Sequence, residues 1–303
     1  MEQNKSFGWS QGILFALLGL AGCLSLALIL PITQSIPNGK SKQNNLDVKD
    51  TTLTLGNQER VETIKTTMLN TWEIEARARG LAYVLPARFQ GVTLSEAKLI
   101  KGEKVIALTF DDGPRKGSTE QILDILKQNN IKGTFFVLGQ MLQEYPDLGK
   151  RVVAEGHAIA NHTWHHWYQH MSPQVAANEI DRTTDLIYKT TGVKTNMFRP
   201  PGGIMHNGVA DYARNRKYGI ILWSSDSNDY SRPPVPRLVS NVMREARPGG
   251  IVLMHDGGGN RSNTVAALPE IISNFRNQGY KFVTIPELLE IEDKEQKTIT
   301  AKK

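Results

Sequence analysis

Apolar and polar positions follow two rhythms along this chain, and one uninterrupted apolar block precedes both. The block is GILFALLGLAGCLSLALILPI (Gly12–Ile32), within a stretch from Ser6 to Gly39 that carries no charge. About twenty such residues suffice to cross a bilayer as a helix. The block therefore predicts an N-terminal membrane segment, behind a short N-terminal region of residues 1–11. Three fates fit it: an uncleaved anchor, a lipoprotein, or a secretory signal removed on export. LAGC (Leu20–Cys23) resembles a lipobox and would make Cys23 the lipidated residue, yet the run continues past it through LSLALIL. No clear A-x-A cleavage site follows, which favours the anchor. All three fates place the remaining chain outside the cytoplasm.

The first rhythm is helical. Thr33–Asp50 is rich in Gln, Asn, Ser, Lys and Gly and reads as a flexible stalk. Val61, Ile64, Met68 and Trp72 then recur at three- and four-residue spacing, which predicts a helix within Asn57–Gly80, with Gly80 at its C-cap. Residues 33–103 are thus a linker and a helical spacer, the helix either free or packed on the main domain.

From Lys104 the rhythm becomes short apolar runs separated by amphipathic segments. The runs lie at Val105–Phe110, Gly133–Gly139, His157–Thr163, Asn196–Gly202, Gly219–Asp226, Gly250–Asp256 and Lys281–Ile285. Between them, Ser118–Asn130 reads as a helix capped by Ser118, and Ser172–Gly192 as one capped by Ser172 with Pro173 at its first position. Seven strand candidates alternating with helices predict a parallel α/β fold over 104–290, followed by a polar tail at 291–303. Polar clusters stand at the C-terminal end of most apolar runs: Asp111-Asp112, His162–His166, Arg199, Asp226–Asp229 and His255-Asp256. In a β/α barrel those ends share one face, where loops build an active site. That regularity favours an enzyme over a binding module.

Composition narrows the chemistry. The net charge of +6 comes without a dense Lys/Arg stripe, so nothing suggests a nucleic-acid partner. The single cysteine excludes an intramolecular disulfide and any metal site built from several thiolates. Five of the seven histidines lie between His157 and His170. His162 and His166 share a face if the chain turns helically there, and His165 stays open as a looser alternative. A surface histidine patch is the competing reading. A metal would need a carboxylate from a neighbouring strand end. TFDDGP (Thr109–Pro114) offers two, whose burial is costly unless a cation pairs with them.

TFDDGP, HTWHH, RPPGG, WSSDSNDY and LMHD occur in the order and character of the five motifs of the polysaccharide deacetylase family (NodB homology, carbohydrate esterase family 4), which the chain resembles from about Lys104 to Leu289. The resemblance implies a distorted (β/α) barrel of about seven parallel strands, behind the membrane segment and helical stalk. It implies a divalent metal, zinc being the expected ion, on Asp112, His162 and His166. Asp111 would be the general base and Arg199 its partner. His255 would be the general acid, oriented by Asp229, and the Gly202 backbone N–H would help hold the oxyanion. Tyr230 stands where the motif usually carries tryptophan, which keeps an aromatic wall and alters substrate packing. Gly202 replaces an aromatic found in many members, which opens the site or removes a stacking surface. Asp226 reads as a strand-end cap near the site and Asp256 as a support for loop backbone. His157, His170 and His206 read as ordinary residues. Trp164 and Trp167 read as packed aromatics, with a sugar groove as the alternative.

The implied function is an exported metal-dependent hydrolase that removes N-acetyl groups from an N-acetylglucosamine-containing polysaccharide, whether peptidoglycan, a chitin-type polymer or an exopolysaccharide. An O-acetyl esterase on an acetylated glycan keeps the same residues. A catalytically inactive glycan-binding relic is disfavoured, because all seven catalytic and ligand positions are present. A zincin-type protease is poorer still, since no H-E-x-x-H occurs.

Overall fold

The computed structural model describes residues 57–68, 71 and 82–301. The Gly12–Ile32 segment, the stalk, Cys23, Trp72 and Gly80 lie outside the described residues. Among the described residues no helix is long and apolar enough to cross a membrane. The chain divides into two units, Met1–Val61 and Glu62–Lys303. Residues 57–68 are helical, as their periodicity predicts, and Val61, Ile64 and Met68 are exposed on that helix.

The described strands are β1 (Ala82–Tyr83), β2 (Thr93–Leu94), β3 (Val105–Asp111), β4 (Thr134–Val137), β5 (Ala158–Asn161), β6 (Lys194–Thr195), β7 (Met197–Phe198), β8 (Gly219–Ile221), β9 (Ser225–Asp226), β10 (Gly250–His255) and β11 (Lys281–Phe282). Nine form one sheet in the order β2-β8-β7-β5-β4-β3-β10-β9, with β11 paired to the first half of β3. Every ladder in it is parallel. The sheet curls into a half-barrel, and the chain just after β2 reaches β10 through one antiparallel bridge, Glu96 with Gly250. β1 and β6 form a separate parallel pair.

Each of the seven predicted runs contains a strand, but the sheet has nine. The Gly219–Asp226 run breaks into β8, which pairs with β7 and β2, and β9, which pairs with β10, and at the break the carbonyls of Ile221 and Leu222 accept from the Arg199 guanidinium. β2 is the other addition; at two residues it shows no period. It comes from chain read above as spacer, and Leu85, Phe89 and Ala97 of that same stretch are buried in the core. The polar tail also differs from its reading. The helix Ile285–Thr300 runs through it, capped at Thr284, and its buried Glu292 and Glu295 accept from the backbone N–H groups of Lys98 and Ile100.

The strand period of two decides which side chains can meet. In β3, Ile106, Leu108 and Phe110 enter one apolar cluster, beneath the helices Ser118–Gln128 and Ser262–Asn277. Val105 and Ala107 enter a second cluster, on the inner side of the curl, with Phe136, Met197, Ile221 and Ile251. Thr109 and Asp111 continue that inner face. The helix Ser118–Gln128 is capped by Gly117 rather than Ser118. Gly117 N–H donates to Glu120, and the Ser118 hydroxyl instead donates to the Asp256 carbonyl. The helix Pro173–Thr191 has the predicted Ser172 cap and ends on Gly192 at φ 76°.

Candidate active site

Register alone lines up the strand ends. His255 stands opposite Asp111, Asp111 opposite Phe136, Val137 opposite Asn161, and Asn161 opposite Phe198. His162 and Arg199 follow directly on Asn161 and Phe198, so all these polar groups emerge on one rim. In an extended strand Asp111 and Asp112 would point to opposite faces. Asp112 is instead in the left-handed region at φ 72°, which swings its carboxylate back beside Asp111. His162 Nε2 lies 3.7 Å from Asp111 Oδ2 and 3.5 Å from Asp112 Oδ1.

The histidine run is a loop, not the helical turn its spacing suggested. Thr163 and His166 take positive φ of 71° and 64°, and these two reversals bring His166 back to His162, with ring centroids 5.0 Å apart. Three groups hold the loop. Asn161 Oδ1 accepts from Thr163 N–H, Thr163 Oγ1 accepts from His166 N–H, and the buried Glu179 accepts from Trp164 and His165 N–H. His165 turns out of the cluster, its Nδ1 2.5 Å from Glu179 Oε1.

Among the described residues, Asp112, His162 and His166 form a group that could hold a metal ion, one ligand atom from each lying within 4.8 Å of the others. His166 Nε2 is 3.2 Å from Asp112 Oδ1, an oxygen that is buried without a hydrogen-bond donor. A buried carboxylate oxygen facing two imidazole nitrogens is satisfied by a cation. His162 Nδ1 sits 2.7 Å from the Arg199 carbonyl, and a proton donated there leaves Nε2 as the ligand lone pair. Burial pushes His166 down to about 4, with the nearby His162 adding to the effect, so it is neutral at physiological pH. Burial works against the charge of Asp112, but the His162 imidazole beside it and the other surrounding histidines hold the carboxyl well below the usual range. This donor set, two imidazoles and a carboxylate, is one that zinc accepts while keeping positions open.

Two charge-paired groups flank the triad. Arg199 is completely buried and stacks on Phe136 at 4.1 Å. Its Nη1 donates to Asp111 Oδ1 at 2.7 Å and to Thr109 Oγ1 at 2.8 Å, which leaves Asp111 Oδ2 facing the histidines. On the other side, His255 Nδ1 lies 2.6 Å from Asp229 Oδ1, and His255 N–H donates to Asp229 Oδ2. Thr264 and Arg261 donate to the Asp229 carboxylate and carbonyl respectively. Burial alone would lower His255; the bond to Asp229 and the charges of Asp229, Asp111 and Asp112 outweigh it and push it up to about 9. Burial opposes the charge of Asp229 too, yet the His255 pairing holds its pKa below the ordinary value.

The loop after β10 ties these halves together. Asp256 accepts from Gly113 N–H and the Thr119 hydroxyl, as its supporting reading anticipates, and burial pushes it up to about 7. Gly258, at φ 68°, abuts the Asp112 carboxylate so closely that a Cβ would fall 2.3 Å from Oδ2. The buried Arg261, absent from the sequence reading, donates to the Gly257 and Gly258 carbonyls. Asp226 caps its own loop by accepting from Asn228 N–H. His157 is a core residue that accepts from Gly133 N–H, and His170 and His206 are exposed.

Aromatic rings frame the mouth. Tyr230 is exposed and edge-on to His255 at 6.0 Å. Gly202 is left-handed at φ 59°, and a side chain there would meet the Tyr168 ring at 3.0 Å. Tyr168, edge-on to His166 at 5.1 Å, was missed; its only signal was its place two residues after His166. Trp164 is buried beneath Arg182, as a packed aromatic, whereas Trp167 is exposed.

Residues 98–221 match the family model described as polysaccharide deacetylase. A peptidoglycan-N-acetylglucosamine deacetylase of Bacillus cereus is 43% identical over 190 residues, which cover 62% of this chain and 89% of the relative. The crystal structure of the Bc1960 peptidoglycan N-acetylglucosamine deacetylase superposes with a TM-score of 0.62 at 32% identity, covering 66% of this chain and 94% of that one. A carbohydrate esterase family 4 pseudoenzyme from Bacillus anthracis superposes with a TM-score of 0.60 at 30% identity, covering 66% of this chain and 69% of that one. Sequence kinship and a shared sheet thus converge on the segment that carries the strand-end residues, and the chain belongs to the polysaccharide deacetylase family, carbohydrate esterase family 4.

Proposed function

We propose that this chain is an exported, metal-dependent hydrolase that removes N-acetyl groups from N-acetylglucosamine units of peptidoglycan. One observation carries the reading. A carboxylate paired with arginine and an imidazole paired with carboxylate stand on either flank of a two-histidine, one-carboxylate cation site. The activity of the Bacillus cereus relative supports peptidoglycan as the substrate. The apolar block at Gly12–Ile32 supports export with an anchor.

When bound, a divalent ion, zinc by its donor set, supplies Lewis acidity that polarises the acetyl carbonyl and makes water a competent nucleophile near neutrality. Asp112, His162 and His166 are the residues that would hold it. Asp111 takes the proton of the attacking water at Oδ2, the oxygen that Arg199 leaves free. Arg199 fixes the carboxylate in that orientation through Nη1, which donates both to Thr109 Oγ1 and to Asp111 Oδ1. His255 has Nδ1 committed to Asp229, so Nε2 is the nitrogen that gives a proton to the leaving amine as the C–N bond breaks. Water is consumed, and acetate and a free amine result. The Gly202 turn and the Tyr230 ring bound the space beside these groups.

Acetate release from purified peptidoglycan, with and without chelator, tests the reading, with Asp111→Asn as control. We expect release that stops with chelator and falls ~10²–10⁴-fold in the variant, the usual worth of a general base. Acetate only from O-acetylated glycans would replace the N-acetyl assignment. A chain that binds zinc yet releases no acetate from either would overturn the enzymatic reading.

A further inference from the structure

The loop that leaves β10 carries three successive glycines, Gly257 to Gly259, and lies against the proposed ligand Asp112. Its start is stitched to β3, since Asp256 and Gly257 N–H both donate to the Asp111 carbonyl. Beyond that point Gly258 and Gly259 take φ of 68° and 137°, and glycine holds no single conformation unaided. Arg261 supplies the hold. Its Nε donates to the Gly257 carbonyl at 2.6 Å and its Nη2 to the Gly258 carbonyl at 3.2 Å. Nη1 of the same guanidinium donates to the Asp229 carbonyl at 3.2 Å. The side chain is only 5% exposed, and these three acceptors are neutral carbonyls. Burying a cation for carbonyl contacts is costly, so the geometry it imposes is what explains its place. Asp112 depends on that geometry. Its Oδ1 is buried without a hydrogen-bond donor, and its Oδ2 side is walled by Gly258, where a Cβ would fall 2.3 Å from Oδ2. The wall keeps Oδ1 turned toward His162 and His166, at 3.5 and 3.2 Å.

We propose that Arg261 is a positioning residue that fixes the cation-binding half and the acid half of the site relative to each other. One rigid fork holds the glycine loop against Asp112 and also holds the turn at Asp229, whose carboxylate pairs with His255. The acid half of the inference rests on the deacetylase reading, whereas the hold on Asp112 stands without it. Planarity is the property that matters. A lysine keeps the charge but is a point donor on a flexible stem, and it cannot span three carbonyls in fixed directions. Gly258 belongs to the device, because any side chain there would meet the Asp112 carboxylate before the loop could close on it.

Arg261→Lys in the full-length chain separates the fork from the charge, and Arg261→Gln gives the same reading should the lysine variant not fold. Zinc affinity, measured by competition with a chromophoric chelator, should fall about tenfold while circular dichroism stays native. Gly258→Ala, with Arg261 intact, should weaken zinc by a similar factor. The double variant should lose less than the product of the two, because both act through one contact. With zinc saturating, acetate release by Arg261→Lys should still show kcat lowered about tenfold at nearly unchanged KM, since the Asp229 turn stays loose. Zinc affinity at the parent value in the single variants would overturn the proposal, as would a kcat that saturating zinc restores in full. A loss of thermal stability alone, with affinity and kcat unmoved, would reduce Arg261 to a structural residue. Zinc binding weakened by Arg261→Lys, in a chain whose parent releases no acetate, would sustain the hold on Asp112 and sink the deacetylase reading instead.

Discussion

At the scale of single residues, the site works by pushing neighbouring groups apart in charge. His255 is raised to about 9 against burial because Asp229 is pinned by three donors, His255 N–H and Nδ1 and the Thr264 hydroxyl. A folded value above the ordinary histidine value of 6.5 contributes stability that is complete below about 6.5 and lost as pH rises through about 9. Thermal unfolding of the metal-free protein should therefore show a falling Tm across that window. Asp229→Asn should flatten the fall and move the alkaline limb of the kcat profile to lower pH. An unmoved limb would mean that another group supplies the proton. The His255–Asp229 pair was legible as residue types in LMHD and WSSDSNDY, whereas Thr264 and Arg261 were not, because both lie outside the motifs.

At the scale of elements, the loops after β3, β5 and β10 do the positioning. Asp112, Thr163 and His166 occupy the left-handed region, and each reversal needs a fixed partner to persist. For the histidine loop that partner is Glu179 on the helix Pro173–Thr191, which accepts from two successive backbone N–H groups. Glu179→Gln replaces an acceptor oxygen by an amide donor facing those groups. Zinc affinity, measured by competition with a chromophoric chelator, should fall about 10–100-fold while circular dichroism stays native. Unchanged affinity would show that Thr163 and Asn161 hold the loop unaided. The i, i+4 spacing of His162 and His166 anticipated that the two rings would lie together, but through a helical turn that the structure does not contain. A helical turn and a doubly reversed loop can both bring those positions together, and spacing does not distinguish them.

At the scale of the whole molecule, the ends of the described body fasten each other. Glu292 accepts from Lys98 N–H and pairs with Arg88, while Glu295 accepts from Ile100 N–H. These contacts span nearly the whole described body in sequence, and they seat the segment that supplies β2. Glu292→Gln and Glu295→Gln should each cost about 1–3 kcal/mol, the worth of a hydrogen bond to a buried charged group. Denaturant unfolding monitored by tryptophan fluorescence would read that loss. A midpoint shift too small to measure would return residues 291–303 to the role of a polar tail.

Local sequence carried the strand–helix alternation and the residue types gathered at the strand ends, but not the faces of β3, whose seven residues are all buried. The alternation and the residue types depend on apolar runs, on capping chemistry and on motif order, all of which are local. Tertiary structure alone decided that Gly219–Asp226 splits, that two residues at Thr93–Leu94 make an edge strand, and that His165 serves Glu179 and Trp167 rather than the cation site. Each of those outcomes turns on a backbone reversal or a partner far away in sequence. Such partners, Arg199 beside the strand break and Glu179 for the histidine, become neighbours only once the sheet has curled.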